Sequence, residues 1–504
     1  MGREEQIISE RLRKIKELRE QGIEVYPQDF EVTDRAGELQ ERYKSLKPEG
    51  HKKDSVRIAG RLMSVRDLGK IAFGVIRDSS GSVQVTLQEK ETSDKIREFF
   101  KKFVDTGDIV GVEGTIFRTK RGELSVLVKK LELLSKSVLP LPAKWHGLQD
   151  KEERYRKRHL DLIMNPEVME AFVTRAKIVD SVRDLLKKKD FLEVETPALQ
   201  SIYGGASAAP FETHLNALDI DLFLAISPEL YLKKLIVGGY DRVFTICKNF
   251  RNEGIDRQHN PEFTMMEYYA AYKTYKFHME FTEELFEVLK KKLKLPEKIN
   301  YQGKEISLKT PFKRVKFRDL ILKEIGIDID KANNFDSLKK EIEKKKLGEV
   351  DIGGCAHYGA LLDELYKRVV RPSIIQPTFL THYPVEMIAL AKRNKEDPTK
   401  INSVQLLIDG AEIMKAYDEL NDPFDQEERL KEQAELLREG DGAAMPMDES
   451  FIEALKQGMP PTAGYGLGID RLTMLLTNSD SIRDVILFPF MRPLDSKKIM
   501  KGGK

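Results

Sequence analysis

A chain of 504 residues is too long for one domain, and two or three are expected. A third of the residues are charged but the formal net charge is only +2, which excludes a uniformly basic nucleic-acid binder and leaves any polyanion site to a local patch. No apolar run approaches membrane length, no signal-peptide core opens the chain, and Cys247 and Cys355 have neither disulfide-framework nor metal spacing, so a soluble cytoplasmic protein in a reducing compartment is expected.

Residues 4–21 place Ile8, Leu12, Ile15 and Leu18 three or four apart, the pattern of an amphipathic helix ended by Gly22. Its other face carries Arg11, Arg13, Lys14, Lys16 and Arg19, read as a solvated face or, more sharply, as a supplementary RNA contact. From Ser55 to Leu134 the period changes to two. VRIAGRLMSVR, IAFGVIRD, SVQVTLQE, DIVGVEGTIFRT and LSVLVKKLELL read as five short strands, with turns at Ser80-Gly81 and Arg121-Gly122 and a helix over 94–103. That pattern predicts a small Greek-key barrel of the OB type, a fold that binds single-stranded nucleic acid by stacking bases on aromatic side chains beside basic groups. Phe73 is a candidate platform, and Arg61, Gln84 and Glu123 are candidates to read base edges; taken alone, Phe73 is better explained as core. LPLPAKWHGLQDKEERYRKRHLDLIMNP then reads as an interdomain linker, with a helix over 166–189. The expected divisions are a helical lead-in (1–54), the barrel (55–144), the linker (145–170) and a larger domain (171–504) with a helical insertion around 278–370.

In the larger domain, DFLEVETPALQ is a helix end, a strand and Pro197. GGASAAPF follows, where Gly204 and Gly205 either form a turn or let backbone approach a ligand. AISPELYLKKLIVGG predicts a helix begun by Ser227-Pro228, with Glu229 in its first turn. Next, RVFTICKNFRNEGIDRQHNPEFTMMEYYAAY reads as strand, polar loop and strand, broken by Gly254 and Pro261. Strand alternation puts Phe263, Met265, Glu267 and Tyr269 on one face and Cys247, Asn249 and Arg251 on one face of the partner. Such a load of Arg, Glu, Asn, Tyr and His marks a polar site or a solvated ion-pair ladder. VQLLIDGAEIMKAYDELNDP predicts two strands around Asp409-Gly410. PPTAGYGLGIDRLTMLL predicts a Gly-rich strand running into a helix that carries Asp470 and Arg471 in its first turn.

FRNEG with RQHNPEF resembles motif 2 of the class II aminoacyl-tRNA synthetases, and NPEFTMMEYYAAY is similar to its lysyl-tRNA synthetase form. DFLEVETPALQ resembles motif 1, PPTAGYGLGIDRLTMLL resembles motif 3, and TNSDSIRDVILFPFMRP is close to the family's C-terminal signature. AGR, GKIAF, GSVQV and RGELS resemble the same family's anticodon-binding barrel. The resemblance covers almost the whole chain. It implies a multidomain protein, an all-β OB barrel followed by an α+β domain built on an antiparallel sheet. It also implies lysine–tRNA ligase activity with ATP, L-lysine and tRNA(Lys) as partners, Mg²⁺ as cofactor, and a homodimer formed through motif 1.

For the site, the resemblance implies that Arg251 holds the α-phosphate and the substrate carboxylate, and that Glu253 takes the adenine amino group. Phe263 and Arg471 would stack on adenine, while Arg257 and His259 take the outer phosphates. Gly205 and Glu229 would take the α-amino group; Glu267, Tyr269, Tyr417 and Glu419 would line the side-chain pocket. Phe73, Gln84 and Glu123 become contacts to a U-rich anticodon. Three Glu in one pocket favour a cationic substrate and would repel aspartate.

Departures from the family lie at Ala209, where a basic residue is usual, and at Ile388 and Ala389, where Ser-Pro is usual. At the metal end Gln405 replaces a Glu, leaving Glu412, and Lys415 replaces an Asn near the carboxylate. A regular strand would put Glu412 and Lys415 on opposite faces, so both can line one site only across a β-bulge. Alternative readings are a catalytically impaired paralogue that binds RNA or ATP, and an aspartyl- or asparaginyl-type synthetase.

Overall fold

The computed structural model describes residues 2–142, 148–439, 442 and 444–493, and its contacts divide into two units, 1–148 and 149–504. In the first unit, alternating apolar residues produce β1 (His51–Asp67), β2 (Ile71–Arg77), β3 (Ser82–Gln88), β4 (Ile109–Arg118) and β5 (Leu124–Ser135). One face of each strand, including Ile58, Leu62, Ile76, Val85, Val112 and Val126, is buried inside. The strands close in the order β1-β2-β3-β5-β4, with β3 and β5 parallel, and the Asp94–Phe103 helix, capped by Ser93, buries Phe100 and Phe103. This is the OB barrel expected from the sequence.

The N-terminal helix, Arg3–Glu20, departs from the predicted stripe. Ile15 and Leu18 are buried, but Leu12 is 51% exposed while Arg11 and Lys14 are buried. The Arg11 guanidinium donates to the carbonyls of Thr106, Ser137 and Leu139 at 2.7–3.0 Å, and Lys14 pairs with Asp105 at 2.8 Å. Long basic side chains bury their apolar stems wherever acceptors wait for the head group, so these two tie the helix to the barrel instead of facing solvent. Arg13, Lys16 and Arg19 stay exposed.

Residues 143–147, at the junction of the expected barrel and linker, lie outside the described residues. The described linker carries the helices Lys151–Arg156 and Arg158–Met164 and runs into the helix Pro166–Lys188. Arg158 is 2% exposed; it pairs with Asp161 at 2.6 Å and donates to the carbonyls of Arg483, Ile486 and Leu487. What reads as a charged spacer therefore anchors the C-terminal segment.

The second unit contains β6 (Leu192–Glu193), a small sheet of β7 (Leu199–Gln200), β8 (Glu212–Leu215) and β9 (Ile220–Leu224), then β10 (Arg242–Phe250) and β11 (Glu262–Ala271). A hairpin of β12 (Lys298–Tyr301) and β13 (Lys304–Ser307) follows, then β14 (Lys313–Lys316), β15 (Thr378–Thr381), β16 (Ser403–Ile408), β17 (Ala411–Asp418) and β18 (Thr462–Gly468). Eight of them form one sheet in the order β14-β15-β16-β17-β18-β11-β10-β6. It is antiparallel except at its edges, where β14 runs parallel to β15 and β6 parallel to β10. Its helices include four between 275 and 365; β12 to β14, each only four residues long, are what the Lys-rich reading of 278–370 lacked.

One face of the sheet is sealed by the helices Pro166–Lys188, Tyr275–Leu293 and Ile469–Thr477, through a core that includes Val182, Phe286, Leu472, Tyr268, Tyr465 and Leu467. The other face holds the polar residues. Register slips between β16 and β17: Leu406 pairs with Met414 but Leu407 pairs with Glu412, so Ile413 is an extra residue. That is the bulge which the Glu412–Lys415 spacing demands. It turns both Ile413 and Met414 into the sealed core and leaves Glu412 and Lys415 on the open face. No helix among the described residues is long and apolar enough to cross a membrane.

Candidate active site

The floor of the site is the central strand β18. Gly464, Gly466 and Gly468 alternate with Tyr465 and Leu467, so the sealed face receives large side chains and the open face receives none. Ser403, Tyr417, Gly464, Tyr269 and Val243 form one row across five strands; Gln405, Lys415, Gly466, Glu267 and Thr245 form the next. A side chain at 464 has no room, because its Cβ would stand 2.1 Å from Glu419 Oε1 and 2.5 Å from Tyr269 Cε1. The result is a trough walled by β17 on one side and β11 on the other.

At one end of the trough three carboxylates converge. Glu229, at the start of the Glu229–Val237 helix, accepts the Tyr417 hydroxyl at 2.8 and 2.9 Å. Glu267 accepts from Ser227 Oγ at 3.1 Å. Glu419 lies across Gly464, and apart from an ion pair with Lys233 neither of its oxygens has a hydrogen-bond partner among the described residues. All three are nearly fully buried, at 5%, 5% and 1% exposure. Burial, aided by repulsion from Glu229, pushes the Glu267 carboxyl up to about 8, and burial likewise raises Tyr269 and Tyr417. Gly205, at φ 82°, brings backbone against this end; a Cβ there would come within 2.7 Å of Glu229 Cβ.

At the other end lies the β10–β11 hairpin. Arg251, just past β10, stacks its guanidinium 5.1 Å from the Phe263 ring centre. It makes no ion pair among the described residues, its Nε has no partner, and burial pulls its pKa down against the pull of Glu253, Glu267 and Glu412. A half-buried cation whose only hydrogen bond among the described residues is to the Ile226 carbonyl is a place for an anion. Arg471 donates to the Glu412 carbonyl at 3.1 Å and meets His259 Nε2 at 3.1 Å; Asp256 holds the other ring nitrogen at 2.8 Å. Glu253 and Arg257 are exposed in the loop. Lys415 makes no ion pair among the described residues. The acids that could have drawn it outward are engaged elsewhere: Asp409 pairs with Lys304 at 2.6 Å, and Asp418 accepts from Tyr275 and Asn402. Gln405 faces the same side, its Oε1 accepting the Tyr383 hydroxyl at 2.7 Å.

Several residues that matter here carry no site role in the sequence reading. Asp470 accepts from Arg175 at 2.5 Å and from the Thr264 amide at 2.6 Å, fastening the Arg471 helix to β11. Ser227 and Tyr383 orient Glu267 and Gln405. Lys233 pairs with both Glu229 and Glu419; its only trace in the sequence is the i, i+4 spacing from Glu229 on a helix whose only other charged residue is Lys234.

On the barrel, Phe73, Val75 and Arg77 of β2 share the outer face with Arg61 of β1 and Gln84 of β3. Phe73 is half-buried and faces Arg66 and Thr86. Gln84 donates to Ser125 at 2.6 Å, Arg61 donates to the Gly107 carbonyl, and Glu123 is exposed two residues before Ser125.

Residues 150–492 match the family model of class II tRNA synthetases (D, K and N), and residues 56–134 match the OB-fold nucleic acid binding domain. The chain is 46% identical to the lysine–tRNA ligase of Pelotomaculum thermopropionicum over 98% of this chain and 96% of that protein. It is 45% identical to that of Thermosipho africanus over 98% of each, and 41% identical to that of Aquifex aeolicus over 97% and 96%. The chain belongs to the class II tRNA synthetases of the aspartate, lysine and asparagine group and, within it, to the lysine–tRNA ligase family.

Proposed function

We propose that this chain activates L-lysine with ATP to lysyl-adenylate and transfers the lysyl group to tRNA(Lys). One observation carries the reading: a single glycine-floored trough has three buried carboxylates at one end and, at the other, Arg251 with no ion pair among the described residues. The first end suits a substrate with two ammonium groups. The second suits the meeting of two anions, the substrate carboxylate and the α-phosphate.

Arg251 would hold both anions against each other. Phe263 and Arg471 would sandwich adenine, Glu253 would accept its amino group, and Arg257 and His259 would meet the outer phosphates. No side chain need act as nucleophile or base, because a carboxylate attacks phosphorus directly; orientation and charge neutralisation carry the rate. Gly205 and Glu229 would take the α-amino group, while Glu267, Tyr269, Tyr417 and Glu419 take the side chain. Half-buried Lys415 would steer the carboxylate toward Arg251.

Glu412 is the carboxylate open to a Mg²⁺ ion, Gln405 beside it being engaged by Tyr383, and among the described residues no three acidic, His or Cys side chains are arranged to hold a metal ion by themselves. That donor set fits an ion held mainly by nucleotide phosphates, whose charge it would neutralise when bound. On the barrel, Arg61, Phe73, Gln84 and Glu123 would read the anticodon. Exposed apolar residues in and after motif 1, Leu192, Leu199 and Ile202, support a two-fold interface in a cytoplasmic homodimer.

Lysine-dependent ATP–pyrophosphate exchange tests the reading, with aspartate and asparagine as controls. Exchange with lysine alone is expected. Exchange with aspartate, or none with any amino acid, would overturn it; the second outcome would favour the impaired-paralogue reading that Gln405 and Lys415 suggest.

A further inference from the structure

Lys233 is completely buried, and its ammonium lies 2.6 Å from Glu229 Oε1 and 2.5 Å from Glu419 Oε2. The rings of Tyr417 and Phe451 stand 5.9 and 5.7 Å away. The other titratable or charged groups acting on this cluster are Glu267 and Tyr269 from β11, Tyr417 and Asp418 from β17, and Arg251 beyond β10. Burial works against the Lys233 charge, but Glu229 and Glu419 outweigh it and hold the ammonium protonated. Burial outweighs Lys233, the largest force opposing it, and pushes the Glu419 carboxyl well above the usual carboxylate range.

Counting charge in this pocket gives three carboxylates and one ammonium, two negative charges when all are ionised. Lysine brings two ammonium groups here, its carboxylate lying with Arg251. Without the Lys233 cation, three carboxylates would share one desolvated space, and a further one besides Glu267 would take up a proton.

We propose that Lys233 is a specificity-determining positioning residue of the amino-acid pocket. It bridges Glu229 and Glu419, fixes their spacing before substrate arrives, and offsets one of the three carboxylate charges so that the pocket matches the two ammonium groups of a diamino acid. The inference rests on the lysine reading above. A purely structural lysine, pinning its helix to the end of β17, would leave substrate discrimination and pH dependence alone.

The test begins with wild-type exchange, whose absence would remove the lysine reading and not this one alone. In Lys233→Met the lysine KM should rise about tenfold or more while the ATP KM stays within about threefold. Raising the pH from about 7 to about 8.5 should recover much of the lost affinity, because a carboxylate deprived of its cation needs higher pH to ionise. Lys233→Arg should keep the wild-type pH profile. A folded Lys233→Met whose lysine and ATP KM change together, or with no recovery at higher pH, would overturn the proposal. If the Met variant does not fold, calorimetry of lysine binding to the wild type in buffers of different ionisation enthalpy decides it. If Lys233 matches the pocket charge in this way, lysine binding near pH 7 should release about one proton, that of Glu267. Release of about two or more would mean that Lys233 does not set the pocket charge.

Discussion

On the barrel, Phe73, Gln84 and Arg61 occupy an open strand face, each half-buried, and Glu123 is exposed. In the sheet domain, Glu229, Glu267, Tyr269 and Glu419 are each no more than 5% exposed, over a strand stripped of side chains. The two regions use similar polar groups under different dielectric conditions. An open face recognises a ligand by stacking and by hydrogen bonds that water contests, so each residue contributes modestly. A closed pocket removes water, which magnifies every charge and makes an unmatched one costly. Single substitutions should therefore act more strongly and more selectively in the trough than on the barrel.

The contrast is sharpest at Glu267. Glu267→Gln removes one charge from a desolvated pair with the substrate ammonium and should weaken lysine by about 2–5 kcal/mol while sparing ATP. Equal losses for both substrates, measured by exchange kinetics, would take Glu267 out of the side-chain pocket. Lys415→Met comes next: exchange should fall roughly 10²-fold and require more Mg²⁺, since a fixed positive charge near the carboxylate is gone. An unchanged rate would place Lys415 outside the reaction. On the barrel, Phe73→Ala should cost about 1–3 kcal/mol of tRNA binding and leave tRNA-independent exchange untouched. Aminoacylation equal to wild type would return Phe73 to the core and break the comparison on that side.

The smallest effect is on stability. The folded Glu267 carboxyl, raised to about 8 chiefly by burial, lies above its unfolded value of 4.5, so the folded state binds the proton more tightly. This group's contribution is therefore full at low pH and is lost progressively as pH rises through that window. Thermal melts of substrate-free protein across it should show part of the downward slope disappearing in Glu267→Gln. A slope identical in the two proteins would mean that Glu267 ionises normally.

Local chemistry in the sequence determined much of this protein. Period-two alternation and the Ser80-Gly81 and Arg121-Gly122 turns define the barrel strands to within a few residues, since a half-buried strand must alternate whatever lies elsewhere. The hairpin around FRNEG and the Gly-rich strand before Asp470 are legible in the same way, and even the bulge at Ile413 follows from the spacing of Glu412 and Lys415. Tertiary structure alone decided where charge goes. Arg11, Lys14, Arg158 and Lys233 look like ordinary solvated residues along the chain, yet each is buried against partners from distant segments. Gln405 and Asp470 likewise find Tyr383, Arg175 and Thr264 only in three dimensions. Periodicity records which face an element must bury. It carries no record of which remote carbonyl or carboxylate will wait there, and a charged side chain is buried only where such a partner compensates its lost hydration.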